Sequence, residues 1–242
     1  ILSPEIEMMI FQLYEDKVPL KWLGSYLTTK KFSLYIADLI IRIEFFNKWI
    51  NNGFTTSYFL SYFTNPNGFI TSIKQKYSLD NKVSFNRVSI DYKVNNEDDD
   101  VKATTKNGYI IKGLFIQGGL WDKKLSVVKD ENIQDLYNQM PLIIMTPMIA
   151  SDHETLGAAV LGQNQILSGV NPLLIQSGPI KHTFPVYYIP IRGEYLGKNS
   201  YIMDIPLSVY KEKDKDGAEK SEKEYVAYWI KKGTCLLMSK ND

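Results

Sequence analysis

VSIDYKV, residues 88–94, decides the fold. Val88, Ile90, Tyr92 and Val94 alternate with Ser89, Asp91 and Lys93, and an apolar period of two is the pattern of a half-buried strand. Upstream the period is helical. Between Ser33 and Asn52, Ile36, Leu39, Ile40, Ile43, Phe46 and Ile50 form one stripe, and Ile41, Phe45 and Trp49 form another beside it. A helix apolar over more than half its circumference is expected to be buried between other elements. Asn51-Asn52-Gly53 signals its end. Ser3-Pro4 opens an earlier helix that Val18-Pro19 stops, and Asn65-Pro66 opens a third, with Phe69, Ile70, Ile73 and Tyr77 on one face.

Downstream of residue 94 the expected elements are strands, at 108–117, 141–148, 184–191, 200–207, 225–231 and 234–239. Lys232-Gly233 is expected to turn between the last two. Gly113, Gly118 and Gly119 in GLFIQGGLWD (113–122) do not open a helix, so they predict a bulge or bend in a strand. Trp121 beside them either fills the core or marks an interface. The expected fold class is α+β, with helices over 1–80 packed on a small, incomplete antiparallel β-barrel over 87–239. Two insertions stand apart: the glycine-containing, weakly charged 149–181 and the almost wholly charged 211–224. The first either folds back over a sheet edge or serves as an adhesive surface.

Composition narrows the function. Hydrophobic residues make up 44% and aromatics 13% of 242, which supplies a core and argues against disorder. Lys and Arg number 28 against 27 Asp and Glu, so no basic excess points to nucleic acid. One cysteine, Cys235, forbids an intrachain disulfide, and two histidines make structural zinc improbable, so a reducing, intracellular setting is expected. No apolar run reaches the ~18 residues of a membrane span. The first residue is Ile1 and no signal-peptide pattern follows, which reads as an excised fragment.

No motif supports catalysis. GEYLGKNS (193–200) has three residues between its glycines, where a phosphate loop needs four, and is better read as a turn at Gly197. Ser151-Asp152-His153-Glu154 holds triad residue types, but a triad converges from separate segments. His182 and Cys235 fit packed side chains. No catalytic, cofactor-binding or metal-binding residue is therefore expected, and no cofactor.

GLFIQGGLWD (113–122) resembles the strand-and-tryptophan signature of the C-terminal domains of dynein heavy chains. VPLKWLGSYLTTKKFSLYIADLIIRIEFFNKWI (18–50), YFLSYFTNPNGFITSIKQKY (58–77), MPLIIMTPM (140–148), FPVYYIPIRG (184–193), YIMDIPL (201–207) and WIKKGTCLLM (229–238) resemble the family's other segments, in the same order. Trp121-Asp122 and the closing Trp229-Ile230…Gly233 look more axonemal than cytoplasmic. The thirty-odd residues after MPLIIMTPM and the long charged loop depart from the family pattern.

The resemblance implies a helical part lying across the AAA+ ring of the same heavy chain and a small barrel, tuning force and processivity. It implies that ATP hydrolysis occurs upstream in the ring and that microtubules are bound only through the upstream stalk. Other dynein subunits are possible partners, nucleic acid and membrane are not, and a cilium or flagellum axoneme is the implied location. Candidate structural or interface residues are Trp49, Gly118, Gly119, Trp121, Asp122 and Trp229. The helix at 33–52 either packs inside the domain or forms part of the ring-facing surface. A free-standing β-barrel protein-binding module is the competing reading, and an enzyme the third.

Overall fold

The computed structural model describes residues 2–26, 30–53, 55, 57–96, 108–132, 134–150, 180–189, 194–195, 198–210 and 222–238. The expected insertions fall mostly outside these residues. Of their ends, Ile149 closes one strand, Ile180 opens another, and Glu222 opens a helix.

Three helices come first: α1 (Pro4–Tyr14), α2 (Phe32–Asn52) and α3 (Pro66–Asn81). Ser3 caps α1, its hydroxyl accepting from the Ile6 amide at 3.4 Å, and Asn65 caps α3, accepting from the Gly68 amide at 3.1 Å. Gly53, at φ +80, ends α2. A fourth helix, α4 (Glu222–Lys232), lies near the C-terminus.

The strands are β1 (Ser57–Phe59), β2 (Val88–Asn95), β3 (Tyr109–Lys112), β4 (Phe115–Gln117), β5 (Leu120–Asp122), β6 (Val127–Lys129) and β7 (Tyr137–Gln139). They continue as β8 (Leu142–Ile149), β9 (Ile180–Tyr187), β10 (Glu194–Tyr195), β11 (Lys198–Asn199), β12 (Tyr201–Val209) and β13 (Cys235–Leu237). Four form a sheet in the order β1-β3-β8-β2, and seven form a second in the order β5-β6-β12-β9-β13-β4-β7. β10 and β11 make a small antiparallel hairpin.

One core joins these parts. Ile111, Ile143 and Met145 from the first sheet cluster with Phe184, Val186, Ile205, Leu207 and Leu236 from the second, and α3 adds Phe69 and Ile73. The Tyr92 hydroxyl donates to Met203 Sδ at 3.7 Å, linking β2 to β12. Burial drives that phenol up to about 12, with the nearby Asp204 charge adding to the shift.

Four expectations need correction. Residues 225–231 are helical, not a strand. Their aromatic and β-branched content reads as β, but Tyr225 and Trp229, four apart, bury one helical face. Glu222 and Glu224 in the first turn and Lys231 and Lys232 in the last complement the helix dipole. Lys232-Gly233 is therefore a helix end, with Gly233 at φ +70 and its amide donating to the Trp229 and Ile230 carbonyls.

The antiparallel pairing expected of the small, incomplete barrel is the second correction. β1–β3, β6–β12 and β9–β13 pair parallel, and the described residues show two open sheets in a fold of α+β class. Third, α2 buries none of its residues fully; it meets the body only through half-buried side chains, Phe45 and Trp49 among them. Fourth, the stretch 108–117 is not one strand but two, β3 and β4, because the bend expected at Gly113 takes φ +78 and ends the first. A Cβ there would sit 2.5 Å from Phe59 Cδ1, so only glycine fits the approach.

Candidate interface and the residues around it

The candidate site is a surface, and Trp49 stands at its base. The Trp49 indole lies on α2 with ring centroids 5.4 Å from Tyr58, 5.9 Å from Phe63 and 6.4 Å from Phe69. Phe63 and Phe69 stack at 4.3 Å, and Phe45 reaches Tyr62 at 5.3 Å. Aromatic pairs at these separations add to plain area burial. The Arg42 Nε donates to the Tyr62 carbonyl at 2.9 Å on the same side. Phe45 and Trp49 thus hold the C-terminal half of α2 against α3 and β1.

The other end of α2 is tied to α1. Asp16, at φ +56 just past α1, accepts from the Ser33 amide at 2.7 Å and from the Ser33 hydroxyl at 2.9 Å. A carboxylate there satisfies free amides of the first turn and meets the positive end of the dipole. Between the two ties, an apolar face of α2 is left open. Ile40 is 53% exposed, Ile43 50% and Ile50 80%. At about 100° per residue Ile40 and Ile43 fall about 120–180° around the helix from Phe45 and Trp49, and Ile50 about 100–140°. Met8, Phe11, Trp22 and Leu23 are also exposed on α1 and the turn that follows it.

The remaining candidate residues lie in the body. Trp121 is 7% exposed, and its Nε1 donates to Asn96 Oδ1 at 2.8 Å. Asn96 Nδ2 in turn donates to the Lys123 carbonyl at 2.9 Å and to Ser126 Oγ at 2.7 Å. Sequence reasoning missed Asn96. Its only signal was an asparagine just past a strand, which reads as a turn residue.

Asp122 organises the turn between β5 and β6. Its Oδ1 accepts from the Lys124 amide at 2.8 Å and the Leu125 amide at 3.0 Å, and its Oδ2 pairs with Lys129. The Lys129 hydrogen bond, helped by those amides, holds the carboxyl at about 2. Gly118, at φ +76, turns the chain between β4 and β5, and its carbonyl accepts from Thr234 Oγ1 at 2.8 Å. The Gly119 carbonyl accepts from Asn138 Nδ2 at 3.0 Å.

Trp229 is buried on α4, 5.9 Å from Phe184, with Lys232 Nζ 5.4 Å from its ring centroid. Lys232 also pairs with Asp130, whose Oδ1 accepts the Tyr228 hydroxyl at 2.7 Å. Burial would raise the Asp130 carboxyl, but the hydrogen bonds from Lys232 and Tyr228 outweigh it and the net shift is downward. These contacts fasten α4 to the segment after β6. Five of the six candidates thus lie within the body, and Trp49 alone is on α2.

Ser151 to Glu154 lie outside the described residues. GEYLGKNS contains the β10–β11 hairpin, with Tyr195 paired to Lys198. His182 is buried edge-on to Phe184 at 4.7 Å, and Cys235 is buried in β13. Among the described residues no cluster of His, Cys, Asp and Glu is placed to hold a metal ion, and no helix is long and apolar enough to cross a membrane.

Fold and surface define an α+β domain with two packed sheets and a helical arm that is apolar on its open side. The chain belongs to the family of C-terminal domains of the dynein heavy chain, whose model matches residues 1–238. It is 26% identical over 240 residues to the dynein-1-beta heavy chain of the flagellar inner arm I1 complex of Chlamydomonas reinhardtii, covering 99% of this chain and 4% of that protein. It is 27% identical over 241 residues to human dynein axonemal heavy chain 2, covering 99% and 5%. Mouse dynein axonemal heavy chain 1 is 30% identical over 149 residues, covering 61% and 4%. The chain therefore spans about a twentieth of the length of these curated relatives.

Proposed function

We propose that this chain is a non-catalytic module that packs across the AAA+ motor ring of its own heavy chain and tunes ATP-driven movement along microtubules in a cilium or flagellum. The observation that carries the reading is α2. One of its faces is held by aromatic contacts to the body, while Ile40, Ile43 and Ile50 on the other are half or more exposed. Contiguous exposed apolar surface of this kind marks a protein contact. The occupant is the rest of the same heavy chain, since the relatives carry some twenty times more polypeptide than this chain. Such a cap acts only through contacts that differ between the ring's conformational states. The reading assigns ATP hydrolysis to upstream modules and microtubule contact to the stalk. It gives Trp49 the role of anchoring α2, and Gly118, Gly119, Trp121, Asp122 and Trp229 the role of shaping the body that carries it.

Binding of the chain to ring fragments of the same heavy chain tests this. Ile43→Glu with Ile50→Glu should weaken binding at least tenfold while leaving the circular dichroism spectrum unchanged. Unchanged binding overturns the assignment of this face. Calorimetry should detect no stoichiometric ATP binding by the chain alone, and a micromolar site would overturn the non-catalytic reading.

A further inference from the structure

β2 is the outer strand of the four-stranded sheet, and among the described residues its only ladder partner is β8. The free edge has a defined set of backbone groups. Val88 lies opposite Ile149, so Arg87 lies opposite Ala150, and the Ala150 amide donates to the Arg87 carbonyl at 2.8 Å. Antiparallel ladders alternate bonded and non-bonded pairs. Ser89, Asp91, Lys93 and Asn95 therefore bond to β8, while Val88, Ile90, Tyr92 and Val94 turn their amides and carbonyls outward. Pro147, opposite Ile90, agrees with this phase because it has no N–H to give.

The side chains along that edge form a palindrome of charge. Ile90, Tyr92 and Val94 pack on the core, and Asp91 and Lys93 are exposed on the other face. Neither charge forms an ion pair among the described residues. If a second β2 runs antiparallel with its two-fold axis at Tyr92, Ile90 meets Val94 and Tyr92 meets itself in hydrogen-bonded pairs. Asp91 then faces Lys93 of the second copy, and Lys93 faces its Asp91, in non-bonded pairs. Those are the closer pairs, with Cα atoms about 4.5 Å apart, and opposite charges there are favourable. Moving the axis to residue 91 would oppose Asp91 to Asp91, so the charges fix the register.

We propose that the β2 edge is a self-recognition site that joins two copies of this chain through an antiparallel, isologous strand pair. Charged side chains on an edge ordinarily block pairing with unrelated strands. Here the same two charges exclude other partners and admit a second copy. A contact of about five residues is far smaller than a standard interface, so association between free chains is weak. It gains strength when two heavy chains are already held together, because pairing then becomes intramolecular.

Sedimentation velocity of the 1–242 chain, from about 10 to 500 µM, tests the proposal. The chain should show a concentration-dependent dimer, and Lys93→Asp should raise its dissociation constant about tenfold, as two attractions become repulsions. The double variant Asp91→Lys with Lys93→Asp restores complementarity and should restore the dimer. Amide exchange at Ile90, Tyr92 and Val94 should slow as concentration rises. A monomer throughout overturns the proposal. So does a dimer indifferent to Lys93→Asp, which would be joined elsewhere, for instance through the exposed face of α2. Failure of the double variant, folded by circular dichroism, to dimerise overturns it as well.

Discussion

At the scale of single residues, the Trp121 indole fills buried volume and gives its one N–H to Asn96. Trp121→Ala should cost about 3–5 kcal/mol in urea denaturation, because a cavity replaces the largest side chain of β5. A loss under about 1 kcal/mol would mean that the ring is not packed in solution. Asn96→Ala should cost about 1–3 kcal/mol, since it strands the buried indole N–H without a partner. The bends at Gly113 and at Gly118-Gly119 were legible in the sequence, as glycines are the only residues in GLFIQGGLWD that favour a break in a strand. Asn96 was not legible, because its value comes from a hairpin about thirty residues downstream.

At the scale of elements, α2 separates two kinds of apolar side chain. Ile43→Ser should change the stability of the chain by less than about 0.5 kcal/mol, since the residue is 50% exposed. Trp49→Ala should cost about 2 kcal/mol or more, because it removes the ring that joins α2 to Tyr58, Phe63 and Phe69. Thermal unfolding of both variants decides this, and equal effects would contradict the two-face reading. Both stripes of α2 were visible in the sequence. Periodicity reports which residues share a face, but not whether a neighbour covers it. α4 shows the converse. Residues 225–231, YVAYWIK, gave a strand expectation, and burial of Tyr225 and Trp229 in the core, with Trp229 against Phe184 of the second sheet, overrides that propensity.

At the scale of the whole molecule, stability should fall on both successive steps of acidification. Burial disfavours the imidazolium of His182, so its folded value lies below the ordinary 6.5. The unfolded chain takes up that proton first, and stability drops as pH falls below about 6.5. His182→Gln should flatten this limb in urea titrations between pH 7.5 and 5. Asp122, held at about 2 against an ordinary 3.8, contributes stability above 3.8 that is lost as pH falls toward 2. Asp122→Asn should remove that second dependence. Local pattern alone established helices α1, α2 and α3, strand β2 from Val88 and the order of segments that marks the family, because period, caps and turn residues act within a few positions. β1, a strand at Ser57–Phe59 inside the stretch expected to be helical, was not legible, because it depends on pairing with β3 some fifty residues on. Sheet order, the three parallel pairings, the exposed isoleucines of α2 and, among the described residues, the unpaired edge of β2 were decided only by tertiary structure. Each depends on which distant segment arrives to cover a surface, and no local pattern encodes that.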